Sequence, residues 1–263
     1  MPNPQLTEKT LDILQAVGAL GCPSLPEIQS WCGLPMTTSH RIVQTLVERG
    51  FIMRTVKGRY RLGNAVLALS QGISHHGLLS AAARQPVKEL SRKVRNHVHV
   101  GALNDDMVIY LVKQTYGKKR LHSAEGAELE AYCSALGKVL LAALPMDALD
   151  TYLAGSAFVA LTTNTIINAD QLRAEIQDTR MRGWASDREE FAIGLNCIAV
   201  PVRDHNGEVV AALSISVLSL RGVASDLSVF LSSLFDTASE ISRAAFPASL
   251  RDIRPAARVS SVA

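Results

Sequence analysis

The stretch Pro35–Leu62, PMTTSHRIVQTLVERGFIMRTVKGRYRL, decides how this chain is read. Ile42, Val43, Leu46 and Val47 recur at helical spacing, which predicts a helix of about three turns that buries one side and presents Thr37, Thr38, His40, Arg41, Gln44 and Thr45 on the other. Gly50 ends it. Two short β-prone runs follow, Phe51 to Thr55 and Arg59 to Leu62, joined through Val56-Lys57-Gly58, where Gly58 can take the positive φ of a tight hairpin. A helix followed by a basic hairpin is the outline of a winged helix-turn-helix.

The charge of the stretch agrees. Arg41, Arg49, Arg54, Lys57, Arg59 and Arg61 are opposed there by Glu48 alone, a local field suited to phosphates. The competing reading is a helix and hairpin that merely pack in a core and turn a solvated basic face outward. Upstream, Leu11, Ile13, Leu14 and Val17 mark a first helix from Thr7, its possible cap, to Leu20, with Gly21 just past the end. Pro26 to Trp31 makes a short second helix, and Gly33-Leu34-Pro35 turns the chain into the third. Helix, turn, helix and hairpin thus come in the order a DNA-reading unit needs. Arg41, Thr38, His40 and Gln44 are the expected base-edge readers, and Arg54, Lys57 and Arg59 the expected phosphate contacts.

With 263 residues the chain exceeds one average domain of about 100–200 residues, so two domains are expected. Apolar residues make up 48 % and charged residues 19 %, enough for sizeable cores. The net charge is only +3, so any nucleic-acid surface must be local. Cys22, Cys32, Cys133 and Cys197 are widely spaced with no C-x-x-C pair, the pattern of reduced thiols in a cytosolic protein. The polar start MPNPQLTEKT carries no secretory signal, and no apolar run approaches the roughly 20 residues of a membrane helix. A cytoplasmic protein without membrane contact or cofactor is the expectation.

Beyond the hairpin, Asn64 to Ser74 is apolar at helical spacing and is expected to link two domains, with His75-His76-Gly77 breaking it. That His pair can be a metal site or pH sensor, or simply exposed linker. Leu78 to Val94 is amphipathic, with a kink or break expected at Pro86. Strands are expected at His97–Leu103, Met107–Thr115 and Lys118–Ser123. Helices are expected from Ser134 to about Ala143, at Asp147–Leu153 and at Asp170–Arg182. Cys197–Val202 and Glu208–Leu218 make a further hairpin, and Val223–Phe246 a last long helix. Helices mixed with antiparallel hairpins indicate an α+β domain. Pro247 to Ala263 reads as a flexible tail.

Two features of this second part suit a small anion. Ser134-Ala135-Leu136-Gly137-Lys138 enters a helix through small residues, where free backbone N–H groups and a capping Ser make a site for a carboxylate. Ser214 and Ser216 lie two apart on a strand whose other face carries Leu213, Ile215 and Val217, so both hydroxyls point one way and need partners. A ligand satisfies them; so do buried water or neighbouring backbone.

The run GLPMTTSHRIVQTLVERGF at Gly33–Phe51 and YRLG at Tyr60–Gly63 resemble the amino-terminal domain of IclR-type bacterial transcription regulators. The resemblance continues through YCSALGKVLLA at Tyr132–Ala142, RGWASDREEFAIGLNCIAVPVRD at Arg182–Asp204 and AALSISV at Ala211–Val217. It implies a winged helix-turn-helix DNA-binding domain over residues 1–63, a linker helix over 64–77 and a GAF-like effector-binding and oligomerisation domain over 78–246. It further implies a ligand-responsive regulator, a repressor of a catabolic operon, that binds double-stranded operator DNA as a homodimer or dimer of dimers and answers to a small organic acid. The effector positions it implies are Ala135, Leu136, Asp187, Leu195, Cys197, Ser214 and Ser216. Asp187 repels an anion unless one of them is protonated or the ligand offers a hydroxyl, which favours a hydroxy or oxo acid. Asp187 also reads as a helix cap or a partner of Arg188 or Arg182, and Cys197 as a small buried hydrophobe. Two other functions remain in view: a sensor acting through protein partners, and a hydrolase using Ser134 or Cys197, although no G-x-S-x-G elbow or S-x-x-K is present.

Overall fold

The computed structural model describes residues 5–117, 124–155, 157–218 and 226–246, and the chain divides between Ser74 and His75 into two units. The strand expected at Lys118–Ser123 and the tail 247–263 lie outside the described residues.

In the first unit, α1 (Gln5–Leu20), α2 (Leu25–Cys32) and α3 (Met36–Glu48) close around Ile13, Val17, Ile28, Ile42, Val43 and Leu46. The apolar spacing of the third helix is what buries Ile42, Val43 and Leu46 on one side. At the start of α2 the Glu27 carboxylate accepts the Ser24 N–H at 2.6 Å and the Ser24 hydroxyl at 2.7 Å. β1 (Ile52–Arg54) and β2 (Tyr60–Leu62) pair antiparallel with Arg54 opposite Tyr60. Gly58 has φ +68° at the hairpin tip, the left-handed backbone for which glycine is suited. The first helix does not begin at Thr7: α1 is already helical from Gln5 and Thr7 lies in its first turn.

Two expected breaks fall elsewhere. α4 (Asn64–Ser70) stops short of Ser74, with the Ser70 hydroxyl donating to Leu67 O and Ile73 N–H donating to Ser70 O before the chain turns. His75-His76-Gly77 opens the next helix instead of breaking one. That helix, α5 (His75–Val94), runs unbroken through Pro86, which is buried along with Leu79, Ala83, Val87 and Leu90. One missing N–H is outweighed by a packed face along 20 residues.

The second unit is built on one antiparallel sheet of order β5-β4-β3-β8-β7-β6, comprising β3 (His97–Asn104), β4 (Met107–Gln114), β5 (Glu128–Glu130), β6 (Ala185–Arg188), β7 (Leu195–Arg203) and β8 (Val209–Leu218). The period-two alternation of each strand separates two cores. Val98, Val100, Ile198, Val200, Leu213 and Ile215 face α5 and α9 (Leu231–Ala245), while Leu195, Cys197, Ala199 and Ala212 face α6 (Ala135–Ala143), α7 (Met146–Gly155) and α8 (Ala169–Arg182). The last helix is preceded by a 3-10 turn at Leu227–Phe230. This is the α+β class the sequence indicates, with β5 and β6 as additional short edge strands.

Candidate functional site

Sheet pleat brings side chains of β8, β7 and β6 to one face over the start of α6. Ser216 opposes Cys197, and Cys197 opposes Asp187, across two antiparallel pairs. Above this row α6 begins. Ser134 has extended backbone and its hydroxyl accepts the Gly137 N–H at 3.0 Å, so the cap is made as its sequence suggests and the first N–H groups of α6, at Ala135 and Leu136, lack an intrahelical acceptor.

A cavity of about 190 Å³ lies between helix start and sheet. Ala135, Leu136, Asp187, Leu195, Cys197, Ser214 and Ser216 all line it. So do His99, Tyr110, Ala127, Glu128, Leu129, Ser134, Phe191 and Ala192. His99 and Tyr110 form a tilted aromatic pair with ring centroids 5.2 Å apart. The alternation of HVHVGAL already placed His99 on a defined strand face; what the sequence withheld was that β3 pairs with β8 and β4, bringing that face to Ser214 and Ser216.

The polar groups form a short chain. Cys197 Sγ and Ser216 Oγ are 3.2 Å apart, and Ser216 Oγ is 3.4 Å from His99 Nδ1. Asp187 Oδ1 accepts the backbone N–H groups of Glu190 at 2.7 Å and Phe191 at 3.4 Å, so it does cap a turn while its carboxyl lines the cavity. Burial, reinforced by the Glu190 carboxylate, lifts Asp187 from the ordinary 3.8 to about 7, against the lowering influence of its two backbone donors and Lys138. Burial holds the Cys197 thiol well above its usual range and pushes His99 down to about 3, so both are neutral at pH 7. No Lys or Arg side chain among the described residues lines the cavity. It offers an anion neutral donors and a helix N-terminus.

Ser134, the nucleophile of a hydrolase reading, and Lys138, the nearest lysine after it on α6, are each taken by other partners. Ser134 Oγ serves as the helix cap, while Lys138 Nζ donates to Glu190 Oε1 at 2.6 Å and to the Ser186 carbonyl at 3.1 Å. Among the described residues no group of three His, Cys, Asp or Glu side chains is placed to hold a metal ion, and no helix is long and apolar enough to cross a membrane.

The second candidate surface lies in the first unit. Thr37, His40, Arg41 and Gln44 are exposed on α3 and Thr38 is half-buried; Arg54 and Lys57 are exposed on the hairpin. Gln44 Nε2 donates to Glu48 Oε1 at 3.1 Å along the same helix face. Arg59 differs from the other cations. Its Nε donates to Cys22 O at 2.5 Å and its guanidinium pairs with Glu27 at 2.8 Å, tying the hairpin to the α1–α2 turn. The Ser24 N–H and hydroxyl, with Arg59 added, hold the Glu27 carboxyl down to about 2. Ser39, on the inner side of α3, is fully buried and its hydroxyl has no hydrogen-bond partner among the described residues.

Comparison with known proteins covers both units. The IclR helix-turn-helix domain model matches residues 6–55, and the bacterial transcriptional regulator IclR C-terminal model matches residues 71–243. The HTH-type transcriptional regulator KdgR of Escherichia coli (strain K12) is 31 % identical over 236 residues, spanning 89 % of this chain and 90 % of that protein. Among solved structures, IclR of Thermotoga maritima is 28 % identical with a TM-score of 0.59, covering 91 % of this chain and 98 % of that one. An IclR homologue from Microbacterium hydrocarbonoxydans, solved in complex with 4-hydroxybenzoate, shares the fold with a TM-score of 0.61 at 21 % identity, over 91 % of this chain and 98 % of that one.

Proposed function

The chain belongs to the IclR family of bacterial transcriptional regulators, DNA-binding proteins with a C-terminal effector domain, and from that premise we propose that it is a repressor of a catabolic operon governed by a small hydroxy or oxo acid. The observation that carries the reading is the meeting of Ala135, Leu136, Asp187, Leu195, Cys197, Ser214 and Ser216 around one cavity free of cationic side chains among the described residues. The carboxylate of the effector takes the free N–H groups at the start of α6 and the serine hydroxyls. Asp187, in its protonated form, donates to the second oxygen function. The aromatic pair His99–Tyr110 gives the remaining wall a flat apolar face.

DNA is read by α3, with Arg41, Thr38, His40 and Gln44 at base edges and the hairpin along phosphate. The active form is a cytoplasmic homodimer that places two α3 helices in successive major grooves, with a dimer of dimers as the larger assembly. Supporting self-association, α4 buries none of its residues and leaves Leu67 and Leu69 exposed, as is Ile73 just beyond. Acid binding shifts the population between arrangements of the DNA-binding units.

A thermal-shift panel of small organic acids, 4-hydroxybenzoate among them, tests the reading on the full chain, because a ligand bound only by the native state raises Tm by mass action. An acid that raises Tm of the wild type but not of Ser214→Ala or Asp187→Ala, and that changes operator retention in a gel-shift assay, supports it. An acid that stabilises all three proteins equally binds elsewhere and overturns the site.

A further inference from the structure

We propose that Lys138 is the positioning residue of the acid cavity: from one turn inside α6 it grips Glu190 and so holds the turn 187–195 that presents Asp187 and Phe191 to the ligand. The proposal rests on the effector-binding reading above.

Lysine is out of place in ALGKVLLAA, a helix whose other residues are apolar or small. Its side chain is only 1 % exposed, and an ammonium group removed from water is costly unless it is paired and hydrogen-bonded. A leucine there would pack without that cost, and buried ion pairs are weak contributors to net stability. The pairing is nevertheless tight. Lys138 Nζ reaches Glu190 Oε1 at 2.6 Å, the Ser186 carbonyl at 3.1 Å and Glu175 Oε1 at 4.0 Å.

The grip continues to the cavity. Glu190, whose side chain is held by Lys138, gives its own N–H to Asp187 Oδ1 at 2.7 Å. The backbone around it is pinned from outside by Thr162, which donates to Glu189 O at 2.6 Å, and Thr165, which donates to Glu190 O at 2.7 Å, and it is closed on itself by Glu189 N–H donating to Leu195 O at 3.0 Å. Glu189 itself sits at φ +59°, a backbone that a non-glycine residue keeps only where its surroundings enforce it. Three residues before Lys138, on the same helix, Ala135 lines the cavity. One rigid element therefore fixes both the anion-binding N–H groups and the turn opposite, and the spacing between the two is set by α6.

Lys138 also sets the charge that Asp187 meets. Around Asp187 stand Glu190 on its own turn, Lys138 on α6, Cys197 on β7, His99 on β3, Tyr110 on β4, Cys133 ahead of α6 and Glu128 on β5. Lys138 is the one cation of that set. Glu190 Oε2 is buried without a hydrogen-bond partner among the described residues, and Oε1 accepts only the Arg188 N–H at 3.4 Å besides Lys138, so Lys138 is the cation this carboxylate is paired with.

The test compares the full-length wild type with Lys138→Met, Glu190→Gln and the uncharged double variant, by amide hydrogen exchange without ligand and by calorimetric titration with 4-hydroxybenzoate from pH 5.5 to 8.5. We expect the Glu190 and Phe191 amides to exchange about tenfold faster in the double variant while β3 and β4 keep their protection. The pH midpoint of acid binding moves up in Lys138→Met and down in Glu190→Gln, each by about one unit, opposite signs that a merely structural role would not produce. Wild-type protection of 187–195 in the double variant overturns the proposal, as does loosening spread equally over the sheet. If the wild type ignores 4-hydroxybenzoate, the acid class of the preceding reading fails for that probe, and the exchange result alone decides the role of Lys138.

Discussion

Asp187 stands directly opposite Cys197 in the β6–β7 pair, on the cavity face of the sheet, and is 1 % exposed. Burial, with the Glu190 carboxylate beside it, raises Asp187 to about 7, and burial with Asp187 opposite it keeps the Cys197 thiol neutral. On the proposed reading the row is a proton-dependent anion site, and the raised carboxyl has a consequence measurable on the folded chain.

Because the folded carboxyl binds its proton more tightly than the unfolded one, the native state loses stability as pH rises from about 4 to about 7, and the loss is complete above that. Asp187→Asn keeps an acceptor for the Glu190 N–H and removes this penalty. Its gain should be larger at pH 8 than at pH 5 by roughly 2–3 kcal/mol. Thermal unfolding at the two pH values checks this; equal gains at both would mean that Asp187 is ionised throughout. In the wild type, anion binding should weaken about tenfold per pH unit above 7, and in Asp187→Asn it should not.

What local sequence shows and what it hides can be stated for particular residues. Ile42, Val43 and Leu46 reveal α3 because helical burial is a matter of spacing within four residues, and Gly58 reveals the hairpin because a tight turn is a local conformation. Ser214 and Ser216 reveal their common face by the same logic. His99 and Tyr110 stay hidden as cavity residues because their position depends on strands more than 100 residues apart pairing as β3–β8. β5 and β6, of three and four residues, are too short for any periodicity to register. Pro86 misleads for a different reason: packing along one face of α5 outweighs a local preference to break. Arg59 reads as one more wing cation until the fold brings Glu27 beside it.

Gly137 is fixed by closeness. A Cβ built there would lie 2.0 Å from Ala131 O and 2.4 Å from Ala131 Cα, both backbone atoms that no rotamer change relieves. Gly137→Ala should displace the start of α6, cost at least about 3 kcal/mol of stability in the second unit and abolish acid binding. Denaturant unfolding and the acid titration check it; a variant that binds acid normally would show that α6 has room to move.

Ser39 invites the opposite change. Its hydroxyl is buried among Ile42, Val43 and their neighbours without a hydrogen-bond partner among the described residues, so Ser39→Ala removes an unpaired polar group and adds helix propensity. The first unit should gain about 1 kcal/mol. Loss of stability in chemical denaturation would show that the hydroxyl is satisfied in solution.

The basic residues of the wing should separate into two groups. Arg54 and Lys57 make no ion pair among the described residues, whereas Arg59 is held by Glu27 and the Cys22 carbonyl. Binding to an operator selected by the wild type from random DNA, followed across a salt series, tests the division. Arg54→Ala and Lys57→Ala should each lower the slope of log K against log salt by about 1, without changing Tm. Arg59→Ala should lower Tm of the first unit and leave the slope nearly intact, because a guanidinium already neutralised by a carboxylate releases few counterions. Arg41→Ala, on the exposed face of α3, should cost about 1–3 kcal/mol of operator affinity while acid binding stays the same. If Arg59→Ala instead reduces the slope as much as Arg54→Ala, the Glu27 pair opens on DNA and all three cations serve phosphate.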